Sequence, residues 1–274
     1  DRPRGRGRKW SPTPVKKIAA EHGIPVMQPE SVKDPAFAAD VAALQPDLIV
    51  VVAFRILPPA VFGAARLGAF NLHASLLPAF RGAAPIQRAL MAGATRTGVT
   101  TFFLKEKVDT GNVILRKEIP VGPNETAGSL HDRLMMLGAE AVLETVTRIQ
   151  AGTAIALEQD DRLATPAPKI SKEDARIRWD EKAETVHNQI RGLSPMPGAW
   201  TMHGEVLMKI LRTRVGRPAA SAAPGTVVSV TKEIEIACGK GTILVDEIQR
   251  EGKAKLSAED FVNGYRLVTG DRLE

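Results

Sequence analysis

A single cysteine in 274 residues, Cys238, excludes an internal disulfide and a cysteine-rich zinc site, which fits a reducing compartment. No run of apolar residues reaches the roughly 18 that a membrane-spanning helix needs, and the first residues are charged instead of following a signal peptide's basic-then-apolar order. A soluble, cytoplasmic protein is therefore expected. His131, His187 and His203 are scattered singly without metal-ligand spacing, so no metal is expected. No phosphate-binding loop and no Gly-x-Gly-x-x-Gly follows a candidate strand; Gly5-Arg6-Gly7 has no strand before it. Ser75 lacks a Gly-x-Ser-x-Gly elbow, which weakens any reading as a covalent nucleophile.

What is present begins with an ordinary globular composition, 44% apolar and 25% charged, enough for one large domain or two ordinary ones. The net charge of +6 is concentrated: residues 1–17 carry seven Arg or Lys (Arg2, Arg4, Arg6, Arg8, Lys9, Lys16, Lys17) against Asp1, leaving the rest of the chain balanced. Interspersed Gly and Pro and little apolar surface predict a flexible cationic arm, because nothing there offsets the backbone entropy of folding. Such an arm is either simply solvated or a contact for a polyanion, nucleic acid first.

Hydrophobic periodicity predicts helices over 15–22 and 34–44, with a short strand over 24–27 between them. A β-branched run over 47–54 reads as a strand covered on both faces. Further strands are predicted over 70–73, 100–104 and 113–119, a helix over 83–92 opened by Pro85, and a long helix from about Thr126. Two Pro and mixed charge over 159–171 suggest a linker. Beyond it come a helix over 182–192, short strands over 199–203, 206–213, 225–230, 234–238 and 242–248, and a last helix from Ser257. The fold class is a doubly wound, mostly parallel α/β sheet over 1–158, then a C-terminal β-barrel resembling an oligonucleotide-binding fold over 172–274.

In open α/β sheets ligands bind beyond the carboxyl ends of the strands. Asn71 and His73 follow one such strand and share a face, since alternate residues of a strand point the same way. Asp109, in Val-Asp-Thr-Gly, lies between two others and is placed to reach the imidazole and fix its tautomer. An amide beside an imidazole suits a developing oxyanion, worth about 3 kcal/mol per preorganised donor. That arrangement is suited to acyl transfer without a covalent nucleophile. Spacing alone leaves open that all three are ordinary structural residues.

The words Asn71-Leu72-His73-Ala74-Ser75-Leu76-Leu77-Pro78, Arg81-Gly82-Ala83-Ala84-Pro85-Ile86-Gln87 and Val108-Asp109-Thr110-Gly111 resemble those of the 10-formyltetrahydrofolate-dependent formyltransferases, over nearly the whole chain. The resemblance implies a catalytic triad of Asn71, His73 and Asp109. It also implies folate contacts at Ser75, Leu76, Leu77 and Pro78, and a pterin pocket lined by Phe54, Arg55, Ile56 and Leu57. The co-substrate implied is 10-formyltetrahydrofolate, with no metal. The acceptor implied is the α-amine of methionyl-initiator-tRNA, approached by Arg4, Arg6, Arg8 and Lys9 in the basic segment. A small amine such as an amino sugar nucleotide, or a non-catalytic RNA-binding derivative, stands as the alternative. Family members open with a strand-helix-strand unit ahead of the basic segment, so that unit is expected to be missing here; a bacterial monomer is expected.

Overall fold

The computed structural model describes residues 2–4 and 9–274, residues 2–4, 9 and 10 by their backbone. Arg6 and Arg8 lie outside the described residues. Strands β1 (Arg2–Arg4) and β2 (Lys9–Ser11) pair antiparallel with Arg4 opposite Lys9. The expectation of an arm without structure is thus corrected. Ladder hydrogen bonds satisfy backbone groups even where side chains have little apolar surface to bury.

Helix α1 (Pro14–Glu21) is capped by the Thr13 hydroxyl, which accepts from the Lys16 N–H, and α2 (Pro35–Ala43) by the Asp34 carboxylate, which accepts from the Ala36 N–H. Neither helix buries a residue. The strand expected over 24–27 does not form: Ile24, Val26 and Met27 are exposed, and among the described residues no neighbouring strand offers them a ladder.

The first sheet has the order β3-β4-β5-β6, with β3 Ile49–Val52, β4 Ala69–His73, β5 Arg96–Phe103 and β6 Val113–Pro120. Its β3–β4 pair is parallel and its other pairs antiparallel, so among the described residues the α/β sheet is mixed. β3 was expected to be covered on both faces. As the edge strand of the described sheet it instead leaves Val50 39% and Val52 51% exposed. A short helix, α3 (Pro59–Phe62), follows β3 unannounced by periodicity, and α4 (Pro85–Met91) follows β4.

Helix α5 (Ala127–Gln150) covers one face of this sheet. Its start is a reciprocal capping box between Thr126 and Ser129. Its buried stripe, Leu130, Leu134, Gly138, Ala141, Thr145 and Ile149, recurs at helical spacing. Phe70 of β4 packs with Ile114 and Ile149, and Leu72 lies so close to α5 that a Cβ on Gly138 would come 2.7 Å from its Cδ2. Burying one such large side chain stabilises by about 1.5–3 kcal/mol. With Phe70 and Leu72 committed to α5, strand alternation turns Asn71 and His73 to the opposite face.

The C-terminal part is an antiparallel sheet in the order β7-β8-β11-β10-β9, with β12 added on β11. The strands are β7 Ala199–His203, β8 Val206–Val215, β9 Val227–Val230, β10 Ile234–Ala237, β11 Thr242–Arg250 and β12 Lys255–Ser257. Val186, Ile190 and Leu193 of α6 (Ala183–Leu193) close its core against Met208, Ile210 and Ile236, and Phe261 of α7 (Ala258–Gly264) joins them. The result is the barrel-like second domain that the turn-punctuated strands predict.

The two domains are bonded to each other. Arg88 of α4 pairs with Asp174 at 2.9 Å, and its guanidinium holds that carboxyl down at about 2. His187 of α6 is buried, with Nε2 2.9 Å from the Pro123 carbonyl and Nδ1 2.9 Å from the Thr213 hydroxyl. The neutral Nε2–H tautomer satisfies both: it donates to Pro123 and accepts from Thr213. Burial pushes the imidazole pKa below its ordinary value, against the pull of the Pro123 carbonyl, and the nearby Arg191 adds to the lowering. The unfolded chain, titrating near 6.5, therefore takes up the proton first as pH falls. Stability from this group is complete above about pH 6.5 and declines below it, toward the lowered folded value. Melting curves from pH 8 to 5 should show that decline, and His187→Gln should flatten it; an unchanged slope in the variant would count against the assignment.

Candidate active site

The site is assembled on the face of the first sheet turned away from α5, at the carboxyl ends of the parallel pair β3–β4. His73 closes β4; Asn71, one pleat earlier on the same face, pairs with Val51 of β3 and Phe102 of β5 through its backbone. The Asn71 side chain is half-buried, and among the described residues nothing hydrogen-bonds its amide. A polar group held in a strand face with no protein partner is available to a ligand.

His73 is 6% and Asp109 8% exposed. The imidazole Nε2 lies 2.8 Å from the Phe80 carbonyl, so this nitrogen carries a hydrogen and donates it. Nδ1 then faces the Asp109 carboxylate at 3.8 Å, within ion-pair reach and beyond a hydrogen bond. The tautomer is thus fixed by a backbone carbonyl and not, as the sequence suggests, by the carboxylate. The gap between Nδ1 and Asp109 leaves both free to meet a reacting group.

Asp109 sits at φ 57, a left-handed conformation that favours glycine, and its Oδ2 accepts the Gly82 N–H at 2.9 Å. Gly82 itself has φ 127, and a Cβ there would come 2.6 Å from the Ala167 carbonyl oxygen, so only glycine lets the loop pass at this point. Gly111 is held equally tightly, since a Cβ would collide with the Phe103 carbonyl.

The remaining expected positions divide. Phe54, Arg55, Ile56 and Leu57 follow β3 at the same end of the sheet as His73; the first three are exposed, and Arg55 donates to the Glu30 carbonyl at 2.8 Å. Ser75 and Leu77 have their side chains inside: the Ser75 hydroxyl donates to the Ala79 carbonyl at 2.6 Å, and Leu77 packs on Phe102 and Val113. What 75–78 can offer a ligand is therefore backbone, the half-buried Leu76 and Pro78. Arg4 and Lys9 are backbone register partners in β1–β2.

Sequence reasoning missed Phe80, Arg81 and Gln159. Phe80 acts on His73 through its backbone carbonyl, and Gln159 on carbonyls 50 and 48 residues earlier in the chain; backbone partners leave no spacing pattern to read. The stretch expected as a linker is in fact docked: Arg81 N–H donates to the Thr165 carbonyl at 2.8 Å, and Ala167 N–H to the Arg81 carbonyl at 2.6 Å. No group of three His, Cys, Asp or Glu that could hold a metal occurs among the described residues, and no helix there is long and apolar enough to cross a membrane.

The chain belongs to the formyl transferase family: residues 1–146 match the model described as Formyl transferase, and residues 169–266 the one described as Formyl transferase, C-terminal domain. It is 50% identical over 274 residues to a protein named methionyl-tRNA formyltransferase from Chlorobium phaeovibrioides, covering 98% of this chain and 86% of that one. It is 46% identical to the methionyl-tRNA formyltransferase of Geobacter metallireducens, covering 100% of this chain and 88% of that one. The fold is also that of an N-formyltransferase from Helicobacter canadensis solved with folinic acid and dTDP-3-aminofucose (TM-score 0.68, 19% identity, 85% of this chain and 81% of that one).

Proposed function

We propose that this chain moves the formyl group of 10-formyltetrahydrofolate onto the α-amine of methionyl-initiator-tRNA. The supporting observation is the Asn71 amide without a protein partner, on one strand face with His73 and opposite the Asp109 carboxylate. Two observations support a folate donor. Exposed Phe54 and Ile56 offer apolar surface to a flat ring beside the strand ends, and the solved relative holds a folate.

As the amine attacks, the formyl oxygen gains negative charge. Asn71 donates its amide N–H to it; the Nε2–H of His73 is kept by Phe80, so the ring adds a donor from Nδ1 only when that nitrogen carries a second proton. The amine gives up one proton and the departing folate nitrogen takes one. Asp109, 3.8 Å from the ring, is placed to carry that proton directly or through water. Arg4, Arg6, Arg8 and Lys9 meet phosphates of the acceptor stem, whose A-form grooves are read largely by shape. The second domain supports the stem. A small amine acceptor is less favoured, because the relatives that share about half of this sequence are named for methionyl-tRNA.

The test is to incubate the protein with 10-formyltetrahydrofolate and charged initiator tRNA and look for formyl-methionine. Formyl-methionyl-tRNA is the expected product. Formylation of an amino sugar nucleotide but not of the tRNA would reject the reading, as would no product at all. With Arg6 and Arg8 changed to Gln, tRNA binding should weaken and its salt dependence should become shallower by about one to two charges.

A further inference from the structure

Gln159 lies in the stretch between the two domains, yet it is buried, and every hydrogen-bonding capacity of its carboxamide is used. Its Nε2 donates to the carbonyl of Asp109 at 3.0 Å and to that of Gly111 at 2.8 Å. Its Oε1 accepts from Arg81 Nε at 3.2 Å and Nη2 at 2.8 Å. Two carbonyls on one side and a guanidinium on the other leave the amide only one orientation.

Arg81 is held in turn by Asp161 at 2.7 Å, and the Phe80 N–H donates to the Thr165 hydroxyl at 2.8 Å. The segment 159–167 therefore straps together the two loops that complete the site. One loop carries Phe80, which orients His73, and Gly82, which holds the Asp109 carboxylate. The other is the Asp109–Gly111 turn. Gln159 joins both through a single side chain.

We propose that Gln159 is a positioning residue for Asp109. By clamping the carbonyls on either side of Thr110 it keeps Asp109 in its left-handed conformation, with the carboxylate aimed at His73 and the reacting amine. The proposal rests on the reading of Asp109 as catalytic. Releasing the clamp lets the turn relax, moving the carboxylate by a distance that a near-attack geometry does not tolerate.

The test is a double-mutant cycle on the full chain, with Gln159→Leu and Gln159→Glu each made alone and with Asp109→Asn, using single-turnover rates, KM for both substrates and melting temperature. Gln159→Glu keeps an acceptor for Arg81 but sets a carboxylate oxygen against two carbonyls; should Gln159→Leu not fold, it supplies the same comparison. Alone, each variant should lose about 100-fold in rate with KM nearly unchanged. On the Asp109→Asn background each should lose almost nothing further, because there is no longer a charge to aim. An unchanged rate for the single variants, an equal loss on both backgrounds, or a loss carried by KM would overturn the proposal while leaving Asp109 as assigned. Full turnover by Asp109→Asn alone would instead remove the reading on which the proposal stands.

Discussion

Asp109→Asn lowers turnover by about 10³-fold or more, about 4 kcal/mol in the barrier, while affinity for charged tRNA changes little. The substitution separates charge from shape. Oδ2 of Asp109 is the atom that accepts the Gly82 N–H at 2.9 Å and also faces His73 at 3.8 Å, and an amide oxygen in its place keeps the first contact. What is lost is the negative charge and the capacity to take the amine's proton. The loop should keep its course and the melting temperature should stay close to that of the unaltered chain. Single-turnover formylation, with tRNA binding measured separately, is the check; unchanged turnover would end the catalytic assignment of this residue.

Asn71→Ala should cost about 10²- to 10³-fold in turnover, the range found for removing one preorganised donor to an oxyanion. Two features make this substitution informative. Asn71 makes no side-chain hydrogen bond among the described residues, so truncation breaks nothing in the fold and should leave stability nearly as it was. Its neighbours Phe70 and Leu72 point the other way, into the packing with α5, so the core does not collapse into the space. Asn71→Asp is the sharper companion: nearly the same size, it places a negative charge where the formyl oxygen becomes negative, and it should be slower than the alanine variant. A large fall in melting temperature for Asn71→Ala, or rates indifferent to both changes, would assign Asn71 to structure instead.

Much of this arrangement is legible along the chain because it depends on neighbours in sequence. Alternation puts Asn71 and His73 on one face of β4; Pro at the first turn and Thr or Asp before it set the starts of α1 and α2; the apolar spacing from Leu130 to Ile149 announces α5. Short apolar runs are where such reading fails. The run 24–27 has the composition of a strand, but a strand exists only when a neighbour completes its ladder, and none does among the described residues. Similarly, 49–52 reads as an interior strand, but as the edge of the described sheet it leaves Val50 and Val52 exposed. The Pro-rich stretch after Gln159 reads as a tether because Pro and charge are all that composition reveals. Its backbone nonetheless bridges to Arg81 and binds it to the first domain.

By itself the sequence determined the α/β class, the antiparallel second domain and the family, and it singled out the three residues of the candidate site, because periodicity, turn residues and local words are properties of contiguous chain. Only the tertiary structure decided how those three residues are held. Nothing in the order of residues says that Phe80 orients His73 by its carbonyl, that Gly82 anchors Asp109 by its N–H, or that Gln159, 50 residues further on, clamps the Asp109 turn. These are bonds to backbone groups, which every residue carries alike, and which of them meet is settled only when distant segments pack together.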